Sequence, residues 1–518
     1  MKMVKKKLPI GIQTFSTIRE NNAYYYVDKT QKIIEMINQS NYIFLSRPRR
    51  FGKSLTLDTI AELFLANKSL FTGLYAEQNW DWDRQYPVIR ISFGFGMADE
   101  NADFPTLMSD LFNLLEQQWK LEHQQQTITG RFKSLIEHCY HTTGQKVVIL
   151  IDEYDKPILD NLSNPEKAIL VRNQMRDFYS VIKDSDKYIR FAMLTGVSKF
   201  SKINLFSGLN NLLDITLEEN YSDLCGYTQA ELENTFANEL EGVDLKELKY
   251  WYNGYNWTGE SVYNPFDILL FLNSNKKSFK PYWIETGNAT FLIDKLINEQ
   301  VDITQIRHGI TDSQVLSSFE VGDISAIALL FQTGYLTIDK VITKPSVRYT
   351  LKFPNLEVQQ SLTQSLLLQY LSNQNDTLTY QSSLYDAVIA HDLVRVQQVI
   401  KAFFASIPHD WHRNNKIAHY EGYWASVFYA LFASLGFTTI TEDSTSRGNV
   451  DMTLMIDNHV YIFEFKVIRS EHNEASGVAL NQIQAKNYAD KYRVDGHIIH
   501  QIGVEFYEHS REVMFDIV

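Results

Sequence analysis

Tyr42-Ile43-Phe44-Leu45-Ser46 runs directly into Arg47-Pro48-Arg49-Arg50-Phe51-Gly52-Lys53-Ser54, and Leu55, Leu57, Ile60 and Leu63 follow at roughly helical spacing. The first five residues are a short apolar run with β-formers, the pattern of a buried strand. Strand, tight loop and helix is the context a phosphate-binding loop needs. Gly52 allows close backbone approach, Lys53 can reach β- and γ-phosphates, Ser54 can ligate Mg²⁺, and the N–H groups at the helix start face an anion. Arg47 stands where the first glycine of the usual pattern is expected. Alone, Gly-Lys-Ser is also what an ordinary turn and helix cap contains.

A second stretch tips the balance. Lys146 is followed by Val147-Val148-Ile149-Leu150-Ile151, fully apolar and rich in β-branched residues, and the run ends in Asp152-Glu153. This is the pattern of a central parallel strand with acids at its carboxyl end. Asp152 would hold Mg²⁺ through water, and Glu153 would polarise the attacking water. An exposed acidic turn after a core strand is the plain alternative, and it leaves the phosphate-loop pattern unexplained. Ile189 to Leu194 reads as a third strand, ending at Thr195-Gly196-Val197-Ser198-Lys199, with Thr195 the candidate γ-phosphate sensor. Tyr86 to Ser92 supplies another strand, and helices such as Thr106 to Leu121 complete a βα alternation.

Length and composition bound the rest. A chain of 518 residues is long enough for about three domains. Hydrophobic residues at 44% and charged residues at 21% exclude a disordered or fibrous chain. Two cysteines, Cys139 and Cys225, without CxxC spacing exclude a disulfide framework or zinc ribbon and fit a reducing cytoplasm. A net charge of −13 means that nucleic acid, if bound, meets a local patch and not the bulk field. No apolar run is long enough to span a bilayer, and no signal-type core follows the basic start Met1 to Lys7.

Tyr227 to Leu296 reads as mostly helical. Its aromatic-heavy part, Trp251 to Phe266, reads as a lid packed on the phosphate-loop domain in preference to a base-stacking platform. Leu329 to Tyr370 reads as helix, strand, wing, strand, helix, with charges too sparse for DNA reading. Ser372 to Thr377 reads as a linker.

Toward the C-terminus, Leu384 to Ile407 forms one or two amphipathic helices, and Tyr420-Glu421-Gly422-Tyr423-Trp424 opens another. Val450 to Ile456 and His459 to Val467 are two strands around Asp457-Asn458, a two-residue turn that suits a tight hairpin. With 457 and 458 as the turn, Asp451 lies opposite Glu464, and Lys466 shares their face. Val450, Met452, Leu454 and Ile456 then meet Tyr461, Phe463 and Phe465 on a dry face. Two adjacent carboxylates repel unless a hard divalent cation sits between them. A lysine beside them can orient water and steady developing phosphorane charge, which is the chemistry of metal-dependent phosphodiester hydrolysis. A solvated Glu464–Lys466 ion-pair ladder is the plain alternative. His409, His412 and His419 are too irregularly spaced for a zinc site and read as surface or capping residues.

Taken together, these motifs resemble the AAA-ATPase-like family often fused to a PD-(D/E)XK nuclease. The resemblance is carried by Tyr25-Tyr26-Val27-Asp28-Lys29-Thr30, Ser46 to Leu55, Ile151 to Pro157, Leu194 to Phe200, Phe206 to Leu212, Trp251 to Tyr255 and Val262 to Phe266. It covers nearly the whole chain. Arg-Pro-Arg-Arg-Phe-Gly-Lys-Ser is usual in that family, so Arg47 is no sign of decay. The implied fold class is α/β, with an N-terminal P-loop NTPase (AAA-like) domain over residues 1–220. A helical lid with a winged-helix-like region covers 221–375, and a restriction-endonuclease-like domain covers 376–518. The resemblance adds Arg49 and Arg50 to Gly52, Lys53, Ser54, Asp152 and Thr195 at the nucleotide, and Glu421 to Asp451 and Glu464 at the metal. It also adds Gln482 and Tyr488 as an accessory pair beside catalytic Lys466. Asn449-Val450 departs from the nominal Pro before the Asp. The implied cofactors are ATP and Mg²⁺, with Mn²⁺ able to replace it. The implied substrate is DNA or RNA, with no membrane partner, and a homo-oligomer is compatible. An ATP-gated nuclease is the expected function. An ATP-driven signalling switch whose nuclease-like domain only binds is the alternative.

Overall fold

The strand Tyr42–Ser46 (β1) is buried at all five positions, as a strand covered on both faces must be. The computed structural model describes residues 5–94, 103–122, 125–200, 205–206, 209–283, 290–299, 301–316, 319–320, 323–370, 374–407, 421–469, 476–493, 496–507, 510 and 512–518. Contacts gather into two compact units, Met1–Tyr282 with Thr311–Tyr349, and Trp283–Ile310 with Thr350–Val518. No helix among the described residues is long and apolar enough to cross a membrane.

In the first unit, β1 joins β2 (Val88–Ser92), β3 (Val147–Asp152), β4 (Ile189–Gly196) and β5 (Leu213–Asp214) in a parallel sheet of order β2-β3-β4-β1-β5. β1, β3 and β4 are covered on both faces, so they read as nearly continuous apolar runs. The crossing helices include α1 (Lys53–Phe64), α2 (Phe104–Gln118), α3 (Ile128–Thr143) and α4 (Pro165–Asp184). Asp103, Thr127 and Asn164 cap the last three through side-chain acceptors, which satisfies N–H groups that a helix start leaves open. The order inserts β4 between the phosphate-loop strand and the acid-bearing strand. Leu45 pairs with Thr195, Ser46 with Gly196 and Ile151 with Leu194, so three strand ends finish level with one another. Open parallel sheets bind ligands at that edge.

The aromatic stretch packs as a lid would. Phe51 of the phosphate loop meets Tyr255 edge-on at 4.7 Å and Trp257 at 5.2 Å. Further on come α5 (Ala326–Thr333), strands Thr337–Ile342 and Arg348–Lys352, and helix Leu356–Tyr370, in the expected order. The division between the units falls within the second of these strands.

The second unit contains α6 (Gln374–Ile389), α7 (Leu393–Ser406), α8 (Glu421–Ala433) and α9 (Val478–Ala485). Residues 374–377, expected in a linker, belong to α6; 371–373 lie outside the described residues. The sheet is β6 (Thr438–Thr445), β7 (Gly448–Ile456), β8 (His459–Ile468), β9 (Ile498–Tyr507) and β10 (Val513–Ile517), in that order, antiparallel except for β8 with β9. α8 covers one face, with Phe428 at 5.3 Å from Phe463 and 4.9 Å from Phe465. α9 covers the other through Ile483 against Val460 and Ile462.

His391, in the turn between α6 and α7, stacks on His459 with centroids 3.6 Å apart and places Nδ1 2.6 Å from the Tyr461 hydroxyl. His459 Nδ1 lies 2.8 Å from His500 Nε2, so only one of that pair can carry the hydrogen between them. Burial, then the neighbouring imidazoles, push His459 and His500 below the usual histidine range, with Asp457 opposing at His459. The unfolded chain therefore takes up protons first as pH falls. Stability is complete above about 6.5, the unfolded value, and declines as pH drops through it toward the lower folded values. Melting the full chain from pH 7.5 to 5.5 should show a falling midpoint, and a shallower fall in His459→Asn. An equal slope in both would remove the stack from the account of acid stability.

Candidate active sites

The phosphate loop is shaped by two left-handed residues, Arg50 at φ 69° and Gly52 at φ 93°. A Cβ on Gly52 would have nothing within 4 Å, so its glycine is required by conformation, at about 1–2 kcal/mol for any other residue. Lys53 opens α1 and is buried, its Nζ donating to the carbonyls of Arg47 at 3.0 Å and Pro48 at 2.9 Å. Burial lowers its pKa, against the pull of Asp152. Ser54 is the second helical residue and half-buried, while Arg49 and Arg50 are exposed. The Arg50 guanidinium lies 4.7 Å over Phe266.

Arg47 explains the missing first glycine. It is 1% exposed, and its Nη1 donates to Ser46 O at 2.9 Å and Thr216 O at 2.8 Å, its Nη2 to Tyr221 O at 3.1 Å. The guanidinium stacks 4.2 Å over Trp257, and burial pushes its pKa down to about 10. The side chain ties the start of the loop to the Thr216 and Tyr221 backbone.

At the neighbouring strand ends, the Thr195 hydroxyl donates to Asp152 Oδ1 at 2.7 Å, and Glu153 N donates to the same oxygen at 3.1 Å. Glu153 is itself left-handed, at φ 54°. A Cβ on Gly94, just past β2, would lie 3.3 Å from Glu153 Oε2. Burial, then Asp152, raise the pKa of Glu153, with Lys53 opposing. Asp155, whose role sequence reading missed, is 1% exposed, and its Oδ2 accepts from Val197 N, Ser198 N and Ser198 Oγ at 3.0, 2.6 and 2.5 Å. It locks the segment after Thr195 to the acid strand. The signal was its place two residues beyond Glu153. Beside Gly52 lies an open cleft lined among others by Tyr25, Tyr26, Phe51, Leu55, Cys225 and Tyr227.

In the second unit, the hairpin has the expected register, Ile456 opposite His459 through Met452 opposite Phe463. The ladder ends there. One residue further, Asp451 Oδ2 accepts from Phe465 N at 2.7 Å, so the carboxylate takes the place of a backbone partner. On the other flank Glu442 is left-handed, at φ 48°. This irregularity corrects one expectation: Val450 leaves the face of Met452 and Leu454 and clusters with Val460 and Ile462.

Glu464 is 1% exposed, and its Oε1 accepts from Lys466 Nζ at 3.2 Å and from Gln482 Nε2. Lys466 also donates to Phe465 O at 2.7 Å. The ion pair of the plain alternative exists, but around a buried carboxylate and not on a solvated face. Gly503, beside Glu464 on β9, lets α9 approach, since a Cβ there would meet Leu480 N at 2.5 Å. That close contact delivers Gln482. Tyr488 is buried; burial raises its pKa, Gln482 lowers it, Glu464 and Asp451 raise it and Lys466 lowers it, so it feels the whole group. Glu421 begins α8, but its side chain lies outside the described residues, as do His409, His412 and His419. Among the described residues no three His, Cys, Asp or Glu side chains are arranged around one metal position. Asp451 and Glu464 offer hard oxygen donors, which suit Mg²⁺ or Mn²⁺.

Sequence reading also missed Glu505, which pairs with Lys466 in register. It is 1% exposed and accepts from Ser476 N at 2.6 Å, Ser476 Oγ at 2.9 Å, Val478 N at 2.8 Å and the Tyr507 hydroxyl at 2.9 Å. It thereby anchors the start of α9. An acid inside the apolar run Val504-Glu505-Phe506 was the available signal.

Phosphate loop, inserted strand and acid pair on one side, and an acid-acid-lysine hairpin under a helix on the other, agree with two family models. One, described as "Predicted AAA-ATPase", matches residues 9–206; the other, the PD-(D/E)XK nuclease superfamily, matches residues 419–516. The chain belongs to the family of AAA-ATPase-like proteins with a C-terminal PD-(D/E)XK nuclease-superfamily domain. A relative from Azotobacter chroococcum mcd 1, named "Uncharacterized protein in vnfD 5'region", is 52% identical over 517 residues, spanning 100% of this chain and 99% of its own.

Proposed function

We propose that this protein binds and hydrolyses ATP and, in its C-terminal domain, hydrolyses phosphodiester bonds of nucleic acid with a divalent metal, under control of its nucleotide state. The observation that carries the nuclease reading is the buried Glu464 carboxylate held by both Lys466 and Gln482, with Asp451 fixed on the adjoining strand. Asp451 and Glu464, joined by Glu421, would hold Mg²⁺ or Mn²⁺, which supplies an activated water and charge neutralisation. Lys466 steadies the negative charge that develops on the phosphate, and Gln482 and Tyr488 orient Glu464. A solvated surface pair would need none of this burial.

At the nucleotide, Lys53 carries a charge that burial disfavours, so a triphosphate gives it the counter-charge that two carbonyls supply only in part. On this reading Ser54 and Asp152 would hold Mg²⁺, Thr195 would meet the terminal phosphate, and Glu153 would polarise the attacking water. The aromatic-lined cleft beside Gly52 is where the base would stack. Binding of a fluorescent ATP analogue to the full chain tests the nucleotide half. Lys53→Ala should weaken it at least about tenfold, the loss of one charged hydrogen-bonding partner. Equal affinity in parent and variant would contradict the assignment.

A further inference from the structure

α5 touches both loops that border the phosphate site. Its Gln332 is 5% exposed, accepts on Oε1 from Lys199 N at 3.0 Å and donates from Nε2 to Leu316 O at 2.7 Å. Lys199 belongs to the segment after Thr195 whose Val197 and Ser198 amides Asp155 grips. Just past the helix, Gly334 at φ 91° lies against the phosphate loop, where a Cβ would meet Pro48 Cβ and Cγ at 2.8 Å. The carbonyl of that same Pro48 accepts from Lys53. Between these contacts lies a small cleft lined among others by Arg47, Pro48, Lys199, Trp257, Phe331 and Gln332.

We propose that α5 reads the nucleotide state, with Gln332 as the positioning residue that couples it to the Thr195–Lys199 segment and Gly334 as its bearing on the phosphate loop. The proposal rests on the nucleotide reading above and names how that site is regulated. A ligand shifts a conformational equilibrium only through contacts that differ between states. A terminal phosphate is the difference between ATP and ADP, and the groups placed to meet it, Lys53 and Thr195, lie on the two segments that α5 touches. Both hydrogen-bonding ends of the buried Gln332 amide are engaged. Leaving either unpaired is costly, so a shift of Lys199 carries the helix with it. Gly334 has no side chain to cushion a movement of Pro48. In chain order α5 lies between two of the three places where the chain passes from one unit to the other.

Hydrogen–deuterium exchange of the full-length protein tests this, with ADP and with a non-hydrolysable ATP analogue, each confirmed bound by displacement of a fluorescent nucleotide. In the parent, exchange over 326–334 should differ at least about threefold between the two nucleotides, and the ratio of their affinities should reflect the coupling, at the roughly fivefold lower end of such effects. Gln332→Leu should still bind both while losing the difference in exchange and shifting the affinity ratio toward one. Gly334→Ala, which presses on Pro48, should fix α5 at one exchange level whichever nucleotide is bound. Equal exchange in the parent with both nucleotides bound, or an undiminished difference in Gln332→Leu, would overturn the proposal. A parent that binds neither nucleotide would instead overturn the nucleotide reading, and α5 would have no state to read.

Discussion

Glu153→Gln should keep ATP bound and stop its turnover, with kcat down about 10²- to 10⁴-fold, the usual worth of a positioned proton acceptor. Affinity should stay within a few-fold of the parent, because the groups proposed to hold the phosphates, Lys53, Ser54 and the loop backbone, are untouched. The local geometry favours a clean result. Glu153 holds its left-handed conformation with its backbone N–H on Asp152, and glutamine preserves both size and backbone. Its carboxylate is raised by burial first and by Asp152 second, the direction that makes a better proton acceptor near neutral pH. Steady-state hydrolysis together with equilibrium binding of labelled ATP separates the outcomes. Turnover at the parent rate would mean that another group polarises the water.

Asp451→Ala should abolish cleavage, by more than the 10- to 100-fold that loss of a group behind a metal ligand costs. It should also remove any stabilisation by metal. The substitution strips Phe465 N–H of its acceptor and leaves Glu464 without the neighbour that makes a two-carboxylate site. In the parent without nucleotide, Mn²⁺ at a hundred times its Kd should stabilise the domain by about 2.7 kcal/mol, read as a rise in melting temperature of the full chain. The variant should show no rise. The same rise in both would place the metal elsewhere and reduce the hairpin to a structural ion pair.

The strand ends and the hairpin that carry the two candidate sites could be read largely from local sequence, each for a physical reason. The strands β1, β3 and β4 are covered on both faces, so burial leaves an apolar run that ends abruptly at Arg47, Asp152 and Thr195. The hairpin register follows from Asp457-Asn458, because a one-residue slip would place Asp451 among Phe463 and Phe465. What escaped depends on partners distant in the chain. Arg47 finds its acceptors at Thr216 and Tyr221 and its stacking face at Trp257, which no local pattern announces. The shift of Val450 arises where the carboxylate of Asp451 displaces a ladder bond, an event that strict alternation cannot foresee. Gln332 does its work through backbone groups and Glu505 through backbone groups in part, and backbone donors and acceptors are the same at every residue.

The most direct measurement is cleavage of end-labelled DNA and RNA, single- and double-stranded, by the full-length protein with and without Mg²⁺ and ATP, alongside Asp451→Ala. Metal-dependent cleavage of at least one substrate, altered in rate by ATP and absent in Asp451→Ala, is the expected result. No cleavage under any condition, or cleavage that survives in Asp451→Ala, would contradict it.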